Sequence, residues 1–115
     1  MGIHNFLDAS TTYITKRDGD LLTQYTETTS LGVPRIMAHH YGWWVHVALD
    51  DEDFIMALHG LEEAGFSASF LKLYAYAMIK KAWWINLDSS GSDDLSEDFE
   101  EHDWNQEAIH RVRHE

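Results

Sequence analysis

The sequence predicts an α+β fold: a three- or four-stranded, mainly antiparallel sheet with helices packed on one face. Three observations predict it. The chain has 115 residues, is 44% apolar and 13% aromatic and lacks cysteine, which suits one domain with a single core and no disulfide scaffold. Short runs rich in aromatic and β-branched residues lie between longer stretches whose apolar residues recur at helical spacing. Their order reads β-α-β-β-α-α-β, most economically arranged as one sheet layer under one helix layer. The domain is expected over residues 1–88, followed by an acidic segment at 89–115.

Each element has its own signal. In "IHNFLDAS" a short apolar run ends in turn residues, which supports a first strand. "TTYITKRDGDLLTQYTETT" opens on hydroxyl caps and spaces Ile14, Leu21, Leu22 and Tyr25 for a helix from about Thr15 to Thr28. "SLGVPR" is a loop around Gly32 and Pro34. "RIMAHHYGWWVHVALD" reads as two tightly joined strands or one bulged strand, with Gly42 as the bend. In "DDEDFIMALHGLEEAG" four acids precede a stripe of Phe54, Ile55, Leu58 and Leu61, and Gly65 stops the helix. "SASFLKLYAYAMIKKA" begins at Ser67 or Ser69 and ends in Lys80-Lys81, where cations suit a helix terminus. "WWINLD" is a buried strand, and "NQEAIHRVRHE" predicts a short closing helix.

Charge excludes whole classes of partner. The net charge is −12 and the pI about 4.8, so phosphate backbones and anionic membranes repel the chain. The excess is concentrated: Asp88 to Glu115 carries −8, the preceding 87 residues only −4. The opening "MGIHNFLDAS" lacks a leader pattern, and no run approaches the length of a membrane span. The expectation is a soluble protein of the host-cell cytoplasm.

"LDASTTYIT", "YGWWVHV" and "WINLD" together resemble a small, functionally uncharacterised family carried on plasmids, phages and other mobile elements. The resemblance covers about Phe6 to Asp88. It carries no catalytic residue over, and Tyr13 stands where the opening motif usually has histidine. What it implies is context, an accessory gene of the kind that counters host defence, such as an anti-CRISPR or anti-restriction protein.

Eight histidines raise the question of a metal. His110 and His114 are four apart, and His102 or Glu107 could complete a set, but the His-Glu-x-x-His order of a metalloenzyme is missing. Solvated helix residues explain the pair more simply. His39, His40 and His46 flank the aromatic centre, where cross-strand pairing is commoner than ligation. Asp8, Ser10 and Thr11 could serve as nucleophile partners of such a histidine, yet capping of the following turn accounts for them. Trp43-Trp44 and Trp83-Trp84 must each split between the two faces of a strand. If one face is open, the outward rings form a contact patch; if both are covered, all are core.

The last signal is "DDLSEDFEEHDW", with seven carboxylates and no Lys or Arg. A solubilising tail would suffice for the charge. It would not need Leu95, Phe99 and Trp104 among the acids, which are spaced to dock the segment onto the body. Docking would hold Asp93, Asp94, Glu97, Asp98, Glu100, Glu101 and Asp103, with Trp104, as a row that imitates nucleic-acid phosphates. The expected function is therefore a non-enzymatic inhibitor that blocks the basic groove of a nucleic-acid-handling host defence protein. No cofactor is expected. The competing expectations are a metal-dependent hydrolase or nucleotide-handling enzyme using the histidines, and a regulatory module assembling through the tryptophan pairs.

Overall fold

A computed structural model describes residues 5–26, 34–89, 91, 99 and 102. Within them the chain forms β1 (Phe6–Ser10), a 3-10 turn (Thr11–Tyr13), α1 (Lys16–Tyr25), β2 (Ile36–His39), β3 (Gly42–His46), α2 (Asp51–Ala64), α3 (Ala68–Ile79) and β4 (Trp84–Asp88). The α+β class and the β-α-β-β-α-α-β order match the sequence expectation. The strands lie in the order β1-β4-β3-β2. β2, β3 and β4 pair antiparallel, whereas β1 joins β4 in parallel, which makes the sheet mixed.

Local chemistry sets the helix ends. Thr15 caps α1 through its side chain and Asp18 returns the bond to the Thr15 N–H, a reciprocal box that satisfies two end donors. Asp50 and Ser67 cap α2 and α3 by accepting from Asp53 and Phe70 N–H groups. α2 stops because Gly65 takes φ 103°, a left-handed conformation that costs other residues about 1–2 kcal/mol. Phe66 then donates its N–H to Leu61 and buries its ring.

One face of the sheet carries the core. Leu7, Ile85, Val45 and Ile36 form one cross-strand row, and Ala9, Leu87, Trp43 and Ala38 the next. Against them pack Leu21 and Leu22 of α1, Leu61 of α2, and Phe70, Leu73, Tyr74 and Ala77 of α3. Two expectations need correction here. Ile55 is 55% exposed, because the inward stripe of α2 runs through Phe54, Ala57, Leu58 and Leu61. Gly42 is also not the bend: the turn is His40-Tyr41, and Gly42 is the first residue of β3.

Tyr74 ties the layers together. It is fully buried beneath α2, stacked on Phe54 at 5.8 Å, and its hydroxyl oxygen accepts the Ala48 N–H at 3.0 Å. Burial pushes the phenol up to about 12, and the Ala48 bond only partly opposes this. The fold thus favours the protonated form. Stability from this group is complete below pH 10 and falls as pH rises through 12, by about 2 kcal/mol at pH 12. Alkaline denaturation followed by circular dichroism should show this loss. Tyr74→Phe should remove that limb while costing roughly 1–2 kcal/mol at pH 7, because the Ala48 N–H loses its acceptor.

Candidate functional site

Two surfaces carry the chemistry, one on each side of the sheet. The first lies on the helix side, where the acidic segment meets the body. Ser10 accepts from both the N–H and the hydroxyl of Thr12, which shapes the 3-10 turn and turns the Thr12 carbonyl outward. That carbonyl accepts the His102 N–H at 2.7 Å, and the His102 ring bonds the Ser69 hydroxyl at 3.0 Å. Phe99 packs edge-on against Tyr13 and Tyr76, with ring centroids 5.8 and 5.2 Å away. Lys72 sits 5.0 Å above the Phe99 ring, a cation–π contact worth about 0.5–1 kcal/mol at an exposed site. Phe99 and His102 are therefore held at the turn and along α3 from Ser69 to Tyr76.

These anchors lie inside the acidic stretch. Asp98 and Glu100 flank Phe99 in sequence, and Glu101 and Asp103 flank His102. Asp93, Asp94, Glu97, Asp98, Glu100, Glu101, Asp103 and Trp104, the residues expected to meet a partner, lie outside the described residues, as do Leu95, Glu107, His110 and His114. Of the three apolar anchors read from the sequence, Phe99 is the one the structure places.

The second surface is the sheet face turned away from the helices. Its rows are Phe6, Trp84 and His46; then Asp8, Asn86, Trp44 and Met37; then Ser10, Asp88, Gly42 and His39. Trp44 and Trp84 thus share this face, while Trp43 points to the core. The rings assemble with one another: Phe6 meets Trp44 at 5.4 Å and His46 meets Trp84 at 5.0 Å, both edge-on. A hydrogen-bonded relay crosses the same face. Asn86 Nδ2 donates to Asp8 Oδ1 at 3.2 Å, and His39 Nε2 lies 2.9 Å from Asn86 Oδ1.

The relay settles the chemistry of His39. A carboxylate can only accept, so the amide nitrogen of Asn86 faces Asp8 and its oxygen faces His39. Nε2 therefore carries the hydrogen, and Nδ1 accepts the Tyr41 N–H at 3.2 Å. Both ring nitrogens are engaged, which leaves no lone pair for a metal or for proton abstraction. His39 rather than His40 shares a face with His46, because His40 lies in the turn. Burial first, and Arg35 second, hold the His46 imidazole below its ordinary value, so it is uncharged at neutral pH.

Ser10 is no better placed as a nucleophile. It is 5% exposed and occupied with capping. Among the described residues no three His, Asp or Glu side chains gather in a way that could hold a metal ion.

The family model described as "Family of unknown function (DUF5983) C-terminal domain" matches residues 6–104. The chain belongs to this family. In this DUF5983 domain the match runs from the first residue of β1 to Trp104, so it includes Asp8, His39, Asn86 and the anchors Phe99 and His102. No curated protein and no solved structure is significantly similar to the chain. Among the described residues no helix is long and apolar enough to cross a membrane.

Sequence reasoning missed the Asp8–Asn86–His39 relay. A signal was present in "WINLD", where Trp84, Asn86 and Asp88 alternate with Ile85 and Leu87 and so mark a strand with one polar face. Reading the run as a fully buried strand concealed it.

Proposed function

We propose that this DUF5983 protein is a non-enzymatic inhibitor from a mobile element. It binds a nucleic-acid-handling host defence protein, of the CRISPR or restriction type, and occupies its basic groove in place of DNA or RNA. The observation that carries the reading is the seating of Phe99 and His102 on Tyr13, Tyr76, Thr12 and Ser69. Both anchors belong to the acidic run of the sequence, which is the part proposed to meet the cationic groove. Charge of one sign also speeds encounter with such a groove, an effect that weakens as salt rises.

The test uses purified protein and a panel of CRISPR effectors and restriction enzymes, with displacement of labelled DNA or RNA as the readout. At least one member should lose its nucleic acid, less effectively at high salt. Converting Glu97, Asp98, Glu100 and Glu101 together to lysine should weaken displacement by roughly 100-fold or more, since close interfacial charge pairs contribute on the order of 1.5 kcal/mol or more each. Phe99→Ala should weaken it about tenfold with the charge unchanged, by removing the contacts of Phe99 with Tyr13 and Tyr76. Undiminished displacement by the lysine variant would sink the mimicry.

A further inference from the structure

We infer that the sheet face turned away from the described helices is a second binding surface, opposite the seats of Phe99 and His102, and that it receives an arginine side chain presented by a partner protein. The face combines what an arginine needs. Its guanidinium is a planar cation that stacks on aromatic rings and forks onto a carboxylate. Trp44 and Asp8 lie in one cross-strand row with Asn86 between them, and adjacent strands are spaced about 4.8 Å apart. An arginine laid across Asn86 therefore spans from indole to carboxylate.

Charge identifies the occupant. Asp8 and Asp88 stand on the β1 and β4 side of the face, and Arg35 stands beyond it at the start of β2. Both histidines of the face are taken up, His39 by the relay and His46 by packing on Trp84. The β1 and β4 side is thus aromatic and negative, which suits a cation and disfavours a second copy of a chain of net charge −12. Phe6 is 55% exposed and Met37 39% exposed, so apolar surface remains to be covered around the arginine. Asp8 is held by its bond to Asn86, which is in turn held by His39. The acceptor is therefore already oriented before a partner arrives.

The experiment is an NMR titration of the full chain at 150 mM salt, using an acetylated and amidated octapeptide of alternating serine and arginine. Versions with lysine or with uncharged citrulline serve as comparisons. The arginine peptide should shift the Trp44 indole N–H and the Asn86 side-chain amide, and bind about tenfold more tightly than the citrulline peptide and severalfold more tightly than the lysine peptide. Asp8→Asn and Trp44→Leu should each weaken it at least fivefold, read at the Asn86 side-chain amide, in variants that circular dichroism shows to be folded, whereas the fourfold lysine variant of the acidic segment should retain the Trp44 and Asn86 shifts. Equal affinity for arginine and citrulline would overturn the assignment. So would shifts confined to residues 93–104, or shifts of Trp44 and Asn86 that follow protein concentration alone and so mark a second copy.

Discussion

Gly42→Ala is expected to destabilise the protein by about 3 kcal/mol or more, among the largest effects of a single methyl group. A Cβ at position 42 would stand 1.8 Å from the Leu87 carbonyl oxygen and 2.8 Å from its carbon. Both are backbone atoms of β4, so no side chain can rotate away. The sheet would have to part between β3 and β4, its central pair, and overpacking of this kind usually costs 1–3 kcal/mol even when side chains can yield. The missing side chain also leaves room for His39 to reach Asn86 across the row that Gly42 shares with Asp88. Urea denaturation should show a lower midpoint with an unchanged slope, and the melting temperature should fall by roughly 10 °C. A variant within 1 kcal/mol of the parent would mean that the β3–β4 spacing is looser than the geometry shows.

Asp18→Ala should cost about 4 kcal/mol, and Asp18→Asn should cost nearly as much. Asp18 is fully buried. Its Oδ2 accepts the Thr15 N–H at 2.9 Å and the Ser67 hydroxyl at 2.5 Å, while Oδ1 accepts the Ser67 N–H at 2.8 Å. One carboxylate thus closes the box at the start of α1 and joins it to the cap of α3. Alanine would strand two backbone donors away from water, at roughly 1–3 kcal/mol each. Asparagine does not rescue the site, because each oxygen already accepts a backbone N–H and the amide would turn a donor toward one of them. Chemical denaturation of the two variants decides the point: an asparagine variant close to the parent would show that one of the bonds is dispensable.

Much of the fold was legible because its signals are local. The cap at Ser67, the acids at the start of α2 and the Gly65 stop all act within about one turn, and the structure shows each of them. The periodicity of α2 was read less well. Ile55 sits one position off the stripe, and only packing decides which side of a broad apolar arc turns inward. In the candidate site, Phe99 was recognised because an aromatic among acids has no use in a solvated tail. Asp8 was read as a turn residue, since nothing nearby in sequence reveals a partner such as Asn86, 78 residues away.

The sequence by itself determined the succession of elements, their caps, the −12 charge with its concentration from Asp88 onward, and the splitting of Trp43 and Trp44 between two faces; the second pair departs from that expectation, because Trp83 precedes β4 and is 42% exposed. Only the tertiary structure decided that β1 lies parallel beside β4, that Trp44 and Trp84 both turn away from the helices, and that Asp18 meets Ser67. The physical reason is range. Propensity, capping and alternation are properties of a few neighbouring residues, whereas strand order and the pairing of distant polar groups follow from the closure of the whole chain around one core.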